Sequence, residues 1–492
     1  MKNHTDVLIF HTQICVGASQ ICLMADANLI FASPRRVNAP GWRTIMEKDM
    51  TKGSPMRLIL GFAVPLLLGL IFQQFYSMVD TIIVGHYLGV DALAAVGATG
   101  SVNFLIIGFC MGVCSGFAIP IAQEFGAKHE ENLRRYVANC VWLSVIFAVV
   151  MTIVVVILCR PILLAMRTPV DIIDGSYKYI VVIFLGIPVT YLYNMTAAIL
   201  RSLGDSKTPV IFLVMAAIIN IFLDLLCIIV FRMGVEGAAI ATVVSQALAG
   251  ICCLVYMYKK FDILKLTRDE WRWNRDCAGK LCGMGIPMGL QYSITAIGSV
   301  VLQSAVNGIG SEAVAAVTAG SKLSMLLMCP FDAMGSTMAT YGGQNVGAGD
   351  LGRVDQGLKS CTILGLAYSV IAAGIAYLLG DNLLLLFLEA EEAAIIGNAY
   401  AFIKMNTLFY FPLALVNIVR FLIQGMGFSK LAVFAGAFEM LARGLAGFVL
   451  VPYFGFRAVC FANPLAWIFA DIFLIPAFFY VRRKTAQLLG KC

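Results

Sequence analysis

Four polar residues stand inside apolar stretches long enough to cross a bilayer: Asp80, Asn220, Asp224 and Thr242. An aspartate at the centre of a membrane helix costs roughly 2.5–3.5 kcal/mol, so it faces a bundle interior or a wet cavity, where ion pathways run. Asp224 lies 17 residues past Lys207, which at ~1.5 Å per residue places it about 25 Å along its helix, in the outer half. Asn220 is one turn inward on the same face. Asp80, 23 residues past Arg57, and Thr242, about 9 Å inward from Glu236, fall in the same layer. Two carboxylates with an amide and a hydroxyl offer the oxygen ligands of a hard cation such as Na⁺. Equally, mutual repulsion and desolvation suit the pair to carry a proton. Asn220 or Thr242 alone reads more simply as a hydrogen bond to a neighbouring helix; the two acids together read as ion coupling.

The elements that hold these groups are membrane helices. Of 492 residues, 60% are hydrophobic and 13% charged, with a mean hydropathy of +0.87; apolar runs of about 20 residues between short loops mark a polytopic membrane protein. The expected fold class is all-α, with about twelve transmembrane helices between residues 57 and 481. The net charge of +7 reads as basic cytoplasmic loops rather than as a nucleic-acid surface. Lys128, Arg134, Arg135, Arg201, Lys207, Arg353 and Lys359, the linker from Lys259 to Lys280, and Arg482-Arg483-Lys484 alternate with loops carrying Asp91, Glu312, Asp381, Glu389, Glu391 and Glu392. Both termini are therefore expected in the cytoplasm, with Arg160 and Arg167 against the trend. Most cysteines lie singly in apolar segments and the four histidines are scattered, so neither a disulfide framework nor a zinc site is expected.

The chain repeats itself. Pro65 pairs with Pro287, Gly89–Val96 with Gly310–Val317, Gln123–Ala127 with Gln344–Ala348, Gly204–Lys207 with Gly427–Lys430, and Gly234–Gly237 with Gly455–Ala458. Matches in one order at a nearly constant offset indicate duplication. Six spans per half is even, so the halves are parallel and related by a pseudo-twofold along the membrane normal, with a substrate path between them. The expected organisation is an extension outside the fold (1–56), an N-terminal six-helix lobe (57–258), a basic cytoplasmic linker (259–278), a C-terminal six-helix lobe (279–481) and a cytoplasmic tail (482–492). Within the extension, residues 1–45 differ in character from the rest, and Met46 looks like a true start. Gly126-Ala127 and Gly347-Ala348 are expected to close helices where positive φ or a tight reversal favours glycine, and Gly204 and Gly427 to make the next turns.

The second half does not copy the acidic layer: Leu302 stands where Asp80 would, and Arg443 where Asn220 would. Glu439 and Arg443, four apart, predict an ion pair along one helix face, with a substrate or gating role as the other reading. Gln74, Gln291, Gln303 and Gln424 are candidates for a cavity wall. Met325, Met328, Met334 and Met338 suit a promiscuous surface, though Met fills cores equally well. Asp332, Lys322 and Lys404 are further intramembrane charges whose partners the sequence does not identify.

Val79–Gly85 in the first span, Asn220–Asp224 in the fifth and the twofold six-helix plan resemble the multidrug and toxic compound extrusion (MATE) family, from about Met46 to the C-terminus. The resemblance implies two lobes in a V around a central cavity, and export of organic, often cationic, compounds by antiport with Na⁺ or H⁺. It also implies a cation site at Asp80, Asn220, Asp224 and Thr242, and switching at a bend near Pro65. The second acidic cluster that some members carry on the seventh and tenth spans has no match here. The expected protein is thus no enzyme and needs no cofactor beyond its coupling ion. It is a multidrug efflux antiporter of the bacterial inner membrane, acting as a monomer on small organic compounds, with lipid around it and no nucleic-acid partner. The alternative is a flippase for lipid-linked precursors, or a metabolite exporter of related fold.

Overall fold

The computed structural model describes residues 49–166, 168–385 and 392–490. Residues 1–45, Met46, Arg167, Glu389 and Glu391, used above, lie outside them. The first lobe comprises α1 (Pro55–Leu88), α2 (Val90–Ala127), α3 (Glu130–Ala165), α4 (Ile173–Leu185), α5 (Ile187–Ser202), α6 (Lys207–Leu225) and α7 (Val235–Lys260). The second comprises α8 (Arg275–Asn307), α9 (Ser311–Gly347), α10 (Leu351–Leu384), α11 (Ala393–Leu408), α12 (Tyr410–Gly425), α13 (Ser429–Leu445), α14 (Val451–Phe454) and α15 (Phe456–Leu488).

Among the described residues, ten helices are long and apolar enough to span a membrane, and the bent pairs α4–α5 (46°) and α11–α12 (52°), each taken as one span, bring the number to twelve. Both breaks have a local cause. Pro188 and Pro412 stand just past them, where a proline lacks the donor and crowds the carbonyl four residues back. The fifth span of each lobe ends alike, with a π-helical turn at Leu226–Val230 after α6 and at Ala446–Leu450 after α13.

The lobes exchange helix halves. Ile59, Phe62 and Leu66 at the start of α1 belong to the second lobe's core, while Ile83 and Val84 further along belong to the first. Reciprocally, Ala278 and Leu281 of α8 join the first lobe's core, and Leu302 and Val306 the second. Pro65 and Pro287 lie inside these unbroken helices where each passes between lobes. Residues assigned by sequence to the extension also take part: Met50 is 1% exposed, and its N–H donates to Gln344 Oε1 at 2.9 Å.

Burial along the two central helices shows where the lobes part. Ala94, Gly97, Ser101 and Phe104 of α2 are exposed, but no residue from Leu105 to Ala127 is. Likewise Thr318, Lys322, Met325 and Asp332 of α9 are exposed and none from Ala333 to Gly347 is. The seam is closed at the end bearing basic loops and splayed at the other. A Cβ at Gly126 would lie 1.9 Å from Gln344 O, and one at Gly347 1.8 Å from Gln123 O. The helices do end there, at Ala127 and Gly347 as expected, but neither glycine has positive φ; what requires glycine is the contact of α2 with α9. Gly204 (φ 91°) and Gly427 (φ 98°) do take the left-handed region, as their turns require.

The linker is held to the first lobe. Arg134 Nε donates to Glu270 Oε1 at 2.6 Å, Asn274 N–H to Asn139 Oδ1 at 2.9 Å, and Trp142 Nε1 to Trp271 O at 3.1 Å.

Candidate ion and substrate sites

In the first lobe α1 packs along α6 and brings Asp80 against Asp224. The two carboxyls interact directly; Asp224 is fully buried and Asp80 half-buried. Asp80 Oδ1, both Asp224 oxygens, and the side-chain oxygen and nitrogen of Asn220 are buried without a hydrogen-bond partner among the described residues. Carboxylates only accept, so two that face each other require a shared proton or a cation between them. Asp224 lies two residues before the π-helical turn that starts at Leu226, a local distortion frequent at functional sites. Thr242 keeps to its own helix, donating to Ala238 O at 3.0 Å.

Two tyrosines missing from the sequence reading complete this neighbourhood. Tyr76 and Tyr179 lie within electrostatic reach of both acids. Tyr76 was visible in principle, one turn before Asp80 on the same face. Tyr179 comes from α4, and no spacing in the sequence connects it to α1 or α6.

The second lobe holds a different centre. Arg420 of α12 pairs with Glu439 of α13, and Arg443 reaches the other Glu439 oxygen at 3.5 Å and Asn463 Oδ1 at 3.4 Å. The intrahelical pair therefore exists, but the closer partner comes from another helix. Asp471 of α15 and Asp332 lie within electrostatic reach of Arg420. All three of Arg420, Glu439 and Arg443 are buried. Sequence reading missed Arg420 because it stands alone in the apolar run of α12, with its acid 19 residues away.

The other sequence candidates divide. Gln291 is buried and accepts from Gln424. Gln74 and Met328 are half-buried, Met325 is 53% exposed, and Gln303, also exposed, donates to Asn307 Oδ1 at 3.0 Å on its own helix. Lys404 finds its partners in aromatic rings, 3.8 Å over Tyr400 and 5.0 Å from Tyr377, as a cation at depth does when desolvated.

The family model MatE matches residues 65–226 and 287–449, each block running from the crossing proline to the π-helical turn or its edge. This chain belongs to the MatE family. "Probable multidrug resistance protein YoeA" of Bacillus subtilis is 30% identical over 73% of this chain and 80% of its own length. "Probable multidrug resistance protein NorM" of Thermotoga maritima is 25% identical, over 80% and 86%. Among solved structures, the outward-facing conformation of a multidrug resistance MATE family transporter superposes with a TM-score of 0.83 at 22% identity, covering 92% of this chain and all of that one. The MatE chain is thus a multi-pass membrane transporter, with the two-lobed all-α fold of that family.

Proposed function

We propose that this MatE transporter is a secondary antiporter of the bacterial inner membrane that exports organic, drug-like cations in exchange for Na⁺ or H⁺. The observation that carries the reading is the Asp80–Asp224 pair, buried without a donor beside Asn220. A proton or Na⁺ is the natural counterpart of such a pair, and an ion that binds one conformation better shifts the balance between conformations. Moving a two-state equilibrium from 1:99 to 99:1 takes about 5.5 kcal/mol of differential binding. The splayed outer half and sealed basic-loop end fit one state of an alternating-access cycle, with both termini cytoplasmic and each monomer complete. The similarity to multidrug resistance proteins supports the substrate class.

A flippase for pyrophosphate-linked lipids fits less well. Arg420 and Arg443 are buried and both contact Glu439, so neither guanidinium is exposed to grip a pyrophosphate. Purified protein in liposomes decides the matter. An imposed Na⁺ or proton gradient should drive accumulation of a cationic dye, and Asp80→Asn should abolish it while the protein stays in the membrane. Transport unchanged in Asp80→Asn removes the coupling claim.

A further inference from the structure

We propose that Asp332 is the carboxylate that receives the cationic group of the substrate, at the floor of the cleft between the lobes; this rests on the export reading above. Asp332 is the last exposed residue of α9 before the helix becomes buried down to Gly347. Its neighbours Phe331 and Ala333 are buried, so the exposed face of α9 at this level is the one that carries Asp332. A charged residue exposed at the middle of a central membrane helix faces water rather than lipid.

This carboxylate is uncommitted. Among the described residues it makes no hydrogen bond or ion pair, and Arg420, the cation within its electrostatic reach, is paired with Glu439. Lys322, ten residues outward, is about 15 Å away along the helix. No side-chain contact among the described residues occupies the Asp332 carboxylate, so it is open to the charge of a ligand.

The surroundings specify what kind. Tyr292 of α8 lies within electrostatic reach of Asp332 and packs towards α2, with its Cβ 3.6 Å from where a Cβ on Gly108 would stand. Met328 and Met325 follow Asp332 one and two turns outward on the same face of α9. An aromatic ring stabilises a cation, and methionines adapt to irregular apolar shapes. The geometry suits a lipophilic monocation, its charge on Asp332 and its bulk along α9. Asp80 and Asp224 sit on α1 and α6 of the other lobe. Substrate and coupling ion therefore do not compete for one carboxylate, and coupling passes through the movement of the lobes.

Binding of radiolabelled tetraphenylphosphonium, a permanent cation, to the purified full-length protein tests this. Asp332→Asn should weaken binding at least about tenfold and Asp332→Glu should restore most of it. Asp80→Asn should still bind, with an affinity that no longer varies with Na⁺ or pH. In the wild type, the phosphonium should slow carbodiimide modification of Asp332 and leave that of Asp80 unchanged, which answers the question even where Asp332→Asn does not fold. Undiminished binding by Asp332→Asn, or no protection of Asp332, overturns this inference alone. A wild type that binds no lipophilic cation overturns it together with the cation-export reading.

Discussion

Gln123 and Gln344 occupy equivalent positions in the two repeats, and each donates its side-chain amide to the last carbonyl of the other lobe's bent span. Gln123 reaches Gly425 O at 2.9 Å and Gln344 reaches Ser202 O at 2.8 Å. Both bonds cross the closed end of the seam, where α2 and α9 meet backbone to backbone. They can persist only while that end is shut.

Removing the latch should loosen the closed end. In Gln344→Ala, Ser202 O loses its cross-seam donor and Met50 N–H its acceptor, and an unsatisfied buried polar group costs about 1–3 kcal/mol. Hydrogen exchange should quicken at the ends of α5 and α12 in the Gln123→Ala/Gln344→Ala variant. Unchanged exchange there would show that the glycine contacts alone hold the seam.

Gly126 and Gly347 set a steric condition on the same closure. Gly126→Ala places a methyl group against the Gln344 backbone, and overpacking of this kind costs typically about 1–3 kcal/mol. The variant should favour the state open at the basic-loop end, read as a lowered apparent melting temperature together with increased protease access to the 123–128 segment.

In the second lobe, Glu439→Gln should destabilise more than Arg420→Met. Glu439 stands between two guanidinium groups, so neutralising it removes the carboxylate that both of them contact, and breaking a buried pair costs roughly 3–5 kcal/mol. Arg420→Met leaves Glu439 its contact with Arg443. Apparent melting temperatures in detergent should rank wild type, Arg420→Met, Glu439→Gln in descending order.

The linker clip should be acid-sensitive. Burial alone would raise the Glu270 carboxyl, but the Thr267 N–H and the Arg134 guanidinium outweigh it and hold the carboxyl below its usual 4.5. A group depressed on folding contributes stability above its unfolded pKa and loses it as pH falls through the folded value. The tilted ring pair Trp142–Trp271, with centroids 5.7 Å apart, should report the loss as a change in emission below about pH 4. Glu270→Gln should show the loosened emission already at neutral pH and lack the acid step.

Tyr76→Phe tests the neighbourhood of the ion pair. The hydroxyl sits among groups facing Asp80 and Asp224, so its removal should shift the Na⁺ or proton concentration for half-maximal efflux severalfold without changing the amount of folded protein. An unaltered midpoint would assign Tyr76 to packing alone.

Much of the plan was open to reading along the chain. Hydrophobic runs broken by basic loops mark the spans, because lipid satisfies no polar backbone and only helices of sufficient length survive there. The offset from Pro65 to Pro287 and from Gln123 to Gln344 exposes the duplication, and helical rise puts Asp80 and Asp224 in one layer. These properties follow from local spacing, which a linear sequence records.

What sequence left undecided are contacts between residues far apart. That Asp80 and Asp224 touch, that Tyr179 joins them, that Arg420 rather than Arg443 lies closest to Glu439, and that the two glutamines cross the seam all depend on which faces α1, α4, α6, α9 and α12 turn to one another. Helix rotation is decided by the summed packing of whole surfaces, as in the exchange of the α1 and α8 halves between lobes. Only the assembled bundle settles that rotation, because spans that are apolar on every side carry no polar face to mark which one packs inward.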